Sequence, residues 1–256
     1  MNRLGTLLAT LALTLAGLAS APASSPSYAR GAEAAPTERP AVLGARTIGH
    51  SVQGRKIVAW HLGQPGKPKV VLIATMHGNE RAPRQVLQSL RDRSPIRGVN
   101  LWVVPTYNPD GAAHDTRKNA HGVDLNRNYP YGWRDLDGNY ESGPHAGSEP
   151  ETRAMMRFLG DVEPAWVLSF HQPLHGVDLD TKRPAFAHRV SWHLDLPAKR
   201  FTCGGACHGT MTMWFNHRFK GTALTVEYGD HPSRRLMRER APRQVLAIWG
   251  AHRVSG

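Results

Sequence analysis

The chain has 256 residues, 40% of them apolar, which is enough for one globular domain with a single sizeable core. Its formal charge of +12 comes mainly from arginines scattered along the sequence, not gathered into one stripe with interleaved aromatics, and no nucleic-acid motif is present, so nucleic acid is not an expected partner. For a protein that leaves the cell, this charge favours anionic wall polymers and lipid headgroups.

Export is what the N-terminus predicts. Met1-Asn2-Arg3 is a short positive head, Leu4 to Leu18 an apolar core, and Ala19-Ser20-Ala21 or Ala21-Pro22-Ala23 a small-residue cleavage site, so residues 1–23 read as a secretory signal. The apolar core is shorter than the roughly 20 residues of a spanning helix, with an uncleaved anchor as the alternative. No later segment is apolar enough to span a bilayer, so no membrane span is expected after cleavage. Residues 24–45, rich in Ala, Pro and Ser, read as a disordered linker, and 46–256 as the domain itself, secreted or wall-associated and monomeric.

The domain opens with a glycine turn within Arg46 to Arg55 leading into the alternating strand Lys56 to Leu62, expected as an antiparallel edge pair. Lys69-Val-Val-Leu-Ile-Ala-Thr-Met76 is a buried strand, Arg81 to Leu90 a helix, and Asn100 to Pro105 another strand. The heptapeptide Arg-Ala-Pro-Arg-Gln-Val-Leu occurs at Arg81 and again at Arg240 in unrelated surroundings, and both copies read as helix entries with Pro in the first turn. Tyr107 to Gly147 is long and aperiodic, as functional loops are. Ser148-Glu-Pro-Glu151 reads as a capping box, and the helix after it turns Met155, Met156 and Leu159 inward. A strand at Ala165 to Phe170, a helix near Arg183 to Leu196, a strand at Gly221 to Glu227 and a closing helix from Arg234 to Trp249 complete the chain. This alternation predicts a single α/β domain, a mixed, mainly parallel twisted sheet with helices on both faces.

Strand ends of such sheets are where ligands bind. His77 and Glu80 leave one strand end and His171 another; two imidazoles, one carboxylate and an open position describe a site for one catalytic zinc ion. With fourteen histidines in the chain, the pair at His77 and Glu80 carries little weight by itself. Glu227 ends a further strand, where a general base would stand, although a salt bridge to an arginine is its plainer use. In the long loop Arg117, Asn126 and Arg127 offer the donors that grip a carboxylate. Cys203 and Cys207 enclose two glycines and an alanine, so an oxidising compartment favours a small local disulfide over two free thiols.

His77-Gly-Asn-Glu80, Asn108-Pro-Asp-Gly111, Gly122-Val-Asp-Leu-Asn-Arg-Asn128, Ser169-Phe-His171 and Thr225-Val-Glu227 occur in this order between about Ile48 and Gly229, and together they resemble the zinc metallocarboxypeptidases. Phe170-His-Gln-Pro-Leu174 and Gly209-Thr-Met-Thr212 look most like the small bacterial murein peptide amidases, which cut the γ-D-glutamyl bond to diaminopimelate. The resemblance implies a carboxypeptidase-like fold, His77, Glu80 and His171 as zinc ligands, and Glu227 as general base. It also implies Arg117 as the group polarising the scissile carbonyl, Asn126 and Arg127 on the substrate carboxylate, and Asp124 orienting His77. The specificity pocket is then expected near Thr210, Met211 and Thr212, with no acidic residue at its base, which argues against a preference for C-terminal Lys or Arg. Two departures stand out: Asn79 replaces an arginine of the digestive enzymes, and the Cys203 to Cys207 loop replaces their substrate-capping tyrosine. Tyr228 is a poor substitute, because it neighbours Glu227 on a strand and points to the other face. Alternatives are a carboxypeptidase releasing neutral C-terminal residues, a zinc deacylase of N-acyl amino acids, and a non-enzymatic wall-binding module.

Overall fold

The computed structural model describes residues 41–254; the predicted signal segment and residues 24–40 of the predicted linker lie outside the described residues. Strand β1 (Val42–His50) begins inside the stretch read as linker and pairs antiparallel with β2 (Lys56–Gly63), Val42 opposite Leu62. Ladder pairing uses backbone groups, so a composition poor in periodic apolar residues did not exclude it.

The chain continues through β3 (Lys69–Ala74), α1 (Arg84–Asp92), the short β4 (Ile96–Arg97), β5 (Asn100–Val104), α2 (Pro109–His114), α3 (Pro150–Val162) and β6 (Trp166–His171). It ends with β7 (Leu174–Asp178), α4 (Pro184–Leu194), the short β8 (Ala198–Lys199), α5 (Met211–Arg218), β9 (Thr222–Gly229), α6 (Ala241–Ala247) and β10 (His252–Arg253). Eight strands form one sheet in the order β1-β2-β5-β3-β6-β9-β7-β8. Strands β5, β3, β6 and β9 run parallel, with β2 and β7 antiparallel beside them. This is the mixed, mainly parallel sheet that the alternation of elements predicts.

Side-chain alternation divides the core between the sheet's two faces. Val70, Leu72 and Ala74 of β3, with Leu168 and Phe170 of β6, pack toward α1, α4 and α6, through residues such as Leu87, Val190 and Val245. Val71, Ile73 and Val167 pack on the other face toward α3 and α5, through Met155, Phe158, Met211 and Phe215. Helices therefore cover both faces. Among the described residues no helix is long and apolar enough to cross a membrane.

Two helix starts differ from the sequence pattern. Ser148 does not cap α3: Glu149 stands at the cap position without a side-chain cap bond, and the Ser148 hydroxyl donates to Glu149. Glu151, instead of reaching back, accepts from the Val52 amide and from Asn119, so both carboxylates tie the long loop and the β1–β2 turn to the helix start. The closing helix contains a π-turn at Leu236–Arg240 before α6. Pro242 has no N–H to offer the carbonyl four residues back, and that carbonyl, of Arg238, accepts from the Ser89 hydroxyl.

Candidate active site

Strands β3 and β6 are neighbours, but the chain leaves β3 for β5 on one side and returns to β6 on the other. Their carboxyl ends therefore flank a crevice of the kind that binds ligands in open α/β sheets. His77 and Glu80 follow β3; His171 ends β6 and pairs in register with Glu227 of β9.

The turn after β3 is built by close backbone packing. Thr75 turns the chain in the left-handed region, φ 56°, fixed by its hydroxyl on the Pro105 carbonyl and by its own carbonyl on the Asn108 amide. Asn108 caps α2 by accepting from the Gly111 amide, and its side-chain amide donates to the Met76 carbonyl. Gly78 then lies on Gly111: a Cβ there would sit 1.9 Å from the Gly111 carbonyl carbon and 2.3 Å from the Ala112 nitrogen. The motifs at His77 and Asn108 are thus two halves of one backbone contact. Gly78→Ala is expected to push His77 and Glu80 apart and to lower metal content and turnover by at least about tenfold, as changes supporting metal ligands do. Metal stoichiometry alongside peptide hydrolysis checks this, and full retention of both would show that the contact can relax.

His77, Glu80 and His171 are all buried, and one donor atom from each lies within 4.8 Å of the others. Nδ1 of His77 is 2.7 Å from Glu80 Oε1, Nδ1 of His171 is 2.8 Å from Glu80 Oε2, and the two Nδ1 atoms are 3.3 Å apart. Nitrogens bound to one tetrahedral zinc at about 2.0–2.1 Å are separated by about 3.3–3.4 Å, the spacing of the two Nδ1 atoms, and two imidazoles with one carboxylate are the donor set such an ion takes; the Glu80 oxygens stand closer to the rings, at hydrogen-bond distance. The other nitrogen of each ring is occupied: His77 Nε2 meets Asp124 Oδ1 at 3.0 Å, and His171 Nε2 meets the Ser169 hydroxyl at 2.8 Å. Such outward partners fix the ring orientation and leave Nδ1 facing inward. Burial would lower the His77 imidazole, but Glu80 and Asp124 outweigh it and raise it to about 9. Burial likewise opposes the charge on Glu80, yet the two histidines hold its carboxyl well below the ordinary carboxylate range.

Asp124 joins the cluster to the loop that carries Arg117, Asn126 and Arg127. Besides His77, it accepts from the Asn126 amide and, through Oδ2, from Arg117 Nε and Nη2. Arg117 Nη1 is left 3.6 Å from Glu80 Oε1, aimed at the cluster. Arg127 is buried; its Nη1 donates to the Asn126 carbonyl, and its Nε has no protein partner among the described residues. Burial pushes the Glu227 carboxyl above its ordinary value against the pull of His171, a shift that makes a carboxylate a better proton acceptor.

One cavity of about 240 Å3 collects His77, Glu80, His171, Arg117, Asn126, Arg127, Thr210, Thr212 and Glu227. Met211 is not among its walls: it is fully buried on the inner side of α5, and only its amide approaches the site, donating to Asn126 Oδ1. Thr210 caps α5, so the helical turn carries Met211 into the core and brings Met213 to the cavity. Cys203 and Cys207 are joined by a disulfide at the rim. Tyr228 is buried on the far face against Phe170.

Several wall residues escaped the sequence reading. Tyr140 lies over the guanidinium of Arg127 at 4.8 Å and of Arg117 at 5.6 Å. Asp178 and Asp180 also line the cavity, so it does contain acidic groups, supplied by the end of β7 and the turn after it instead of by the Thr210 segment. Burial raises the Asp178 carboxyl, while the Asp180 and Phe201 amides, which donate to it, oppose that rise. Ser169 was legible, since residues two apart on a strand share a face and it therefore accompanies His171.

A buried His/Glu/His cluster at adjoining strand ends, with a carboxylate beside it and a paired guanidinium above, defines a metallopeptidase-type hydrolase. The sequence matches the zinc carboxypeptidase family over residues 32–176, and the chain belongs to that family. It is 31% identical over 169 residues to murein peptide amidase A of Escherichia coli K12, covering 60% of this chain and 69% of that protein. It is 32% identical over 202 residues to the human carboxypeptidase N catalytic chain, covering 60% of this chain but only 42% of that one. The crystal structure of the murein-tripeptide amidase of Escherichia coli O157 superposes with a TM-score of 0.64 at 26% identity, over 80% of this chain and 90% of that one. Carboxypeptidase A of Helicoverpa armigera, at 18% identity and a TM-score of 0.66 over 82% of this chain and 66% of that one, shares the fold.

Proposed function

We propose that this chain is an exported zinc peptidase that hydrolyses the amide joining the γ-carboxyl of D-glutamate to diaminopimelate in murein peptides. The observation that carries the reading is the charge layout of the cavity, where Arg117, Asn126 and Arg127 share walls with Asp178 and Asp180. Diaminopimelate brings carboxylates and, at its far end, a free ammonium, so it needs both kinds of partner; a neutral C-terminal residue leaves the two aspartates without one. Similarity to the murein amidases points the same way. Export is supported by the residues 1–23 signal pattern and by the Cys203–Cys207 disulfide, which belongs in an oxidising compartment.

His77, Glu80 and His171 would hold the zinc ion, with Asp124 and Ser169 steadying the rings. When bound, zinc supplies Lewis-acid polarisation of the scissile carbonyl and makes water more acidic. Asn126 and Arg127, which both line the cavity, orient the carboxylate of the leaving residue. Glu227 takes a proton from water as the oxygen adds to the carbonyl carbon, then gives it to the departing nitrogen as the C–N bond breaks. The products are a γ-carboxylate and a free amine. Arg117 Nη1 offers a donor to the carbonyl oxygen as negative charge develops there.

The test is product mass spectrometry on a murein tripeptide and on an acyl-dipeptide with a neutral C-terminal residue, repeated with Asp178→Asn/Asp180→Asn. The wild type is expected to cut the tripeptide preferentially, and the double substitution to raise KM for it about tenfold or more, as loss of a charged partner does. Cleavage of the acyl-dipeptide alone would replace the murein reading with that of a conventional carboxypeptidase.

A further inference from the structure

The catalytic cavity occupies the carboxyl ends of β3, β6 and β9, and the opposite ends of the same strands open onto a second, larger cleft. It has a volume of about 1250 Å3 and is bounded by the turn before β3, the α3 helix and its exit, and the α5–β9 connection. Its walls carry Lys67, Arg157, Arg183, Arg218 and Lys220, against a single acidic side chain, Glu163. The side chains of Lys67, Arg157 and Lys220 are exposed, and none of them has an ion-pair partner among the described residues. These cations come from three separate segments and line the same cleft. Like charges gathered on a concave surface create a positive field that attracts an anionic occupant, and low-dielectric walls focus it.

The aromatic lining narrows the chemistry. Trp166 is already covered, by Phe186 with ring centroids 3.9 Å apart and by the Arg183 guanidinium at 5.4 Å, and Trp214 is buried. Phe219, the third aromatic of the lining, is stacked on Phe215 at 4.8 Å and overlain by the Arg218 guanidinium at 5.7 Å, so each aromatic ring is already engaged and none is offered as a free platform for stacking bases. A bilayer is flat and would meet only the rim of a concave cleft. A thin, flexible chain with regularly spaced negative charges can lie between the walls.

We propose that this cleft binds a linear polyol-phosphate polymer, a base-free chain of phosphodiesters, and so tethers the enzyme while leaving the catalytic cavity free. From Trp166 to His171 the strand rises about 3.3 Å per residue, which puts the two sites about 17 Å apart at opposite edges of the sheet. Binding at one therefore does not obstruct the other.

The experiment titrates soluble, lipid-free poly(glycerol phosphate) into the full-length protein at low and at physiological salt, by calorimetry, without reference to turnover. Binding that weakens with salt is expected. Lys67→Gln/Arg157→Gln/Lys220→Gln should weaken it about tenfold, the order set by three exposed ion pairs. Lys56→Gln/Arg93→Gln/Arg234→Gln removes the same charge from exposed positions outside the cleft and should change affinity less than twofold. Peptide hydrolysis by both triple variants, and by the wild type with polymer bound, should match that of the free wild type. The proposal is overturned if the wild type does not bind the polymer, if the two triple variants lose affinity equally, or if the polymer competes with the peptide. Tighter binding to phosphatidylglycerol vesicles or to single-stranded DNA than to the free polymer would likewise assign the cleft to a membrane or a nucleic acid instead.

Discussion

Glu227→Gln is expected to lower kcat by about 10²–10⁴-fold, the range a positioned general base supplies, while zinc content stays at the wild-type level. The substitution keeps shape and volume, and the amide oxygen can still accept from the Leu174 amide, 3.3 Å away in the native side chain. What disappears is the ability to take a proton. Glu227 does not belong to the His77, Glu80 and His171 donor group, so its neutralisation should leave the metal in place. The pH profile gives a second readout. A base works deprotonated, so wild-type kcat/KM falls as pH drops through the Glu227 pKa, and the variant should lack that limb. Wild-type turnover in the variant would remove Glu227 from the mechanism; loss of metal would make it a ligand.

What was legible in the sequence follows from what sequence can encode locally. The buried strands at β3, β6 and β9 are short apolar runs that stop at polar residues, and the order of those stops gave His77, His171 and Glu227 on one edge. Gly78 and Asn108 could be recognised only as parts of motifs, because the contact that requires them spans Gly78 and Gly111 across the fold. Strand β7 was missed because Leu174-His-Gly-Val-Asp178 has a glycine at its centre and exposed residues at its start, a weak alternation that becomes a strand by pairing with β9. With β7 went Asp178 and Asp180, and so the acidic part of the cavity. Helix α5 was missed for a related reason: Met211-Thr-Met-Trp-Phe215 has no helical period, and the Thr210 cap together with the apolar surface offered by the sheet decides its form. Without that helix nothing in the sequence separated Met211 from Thr210 and Thr212 as wall residues; the helix does so by turning Met211 into the core.

Removing a ligand should have a different signature from removing the base. His171→Ala is expected to lose bound zinc and, with it, all measurable hydrolysis, while the protein remains folded. Without this ring the charges of the cluster still balance. Glu80 keeps His77 Nδ1 at 2.7 Å and Arg117 Nη1 at 3.6 Å, and Asp124 keeps both His77 and Arg117, so neither buried carboxylate is left without a cationic or hydrogen-bonding partner. An uncompensated buried charge would cost about 3–5 kcal/mol; here the remaining partners hold the penalty well below that. Zinc, by contrast, retains only one imidazole and one carboxylate from the protein, too few for a catalytic site of three protein ligands. Ser169→Ala separates ligation from support: it leaves His171 in place but removes the hydroxyl that fixes the ring, and a loss of metal affinity of about 10–100-fold is expected without abolition of binding. Metal stoichiometry by mass spectrometry, with circular dichroism as the check on folding, resolves the two variants. Near-stoichiometric zinc in folded His171→Ala protein would place the metal somewhere other than between β3 and β6, and the charge layout of the cavity would then need a different explanation.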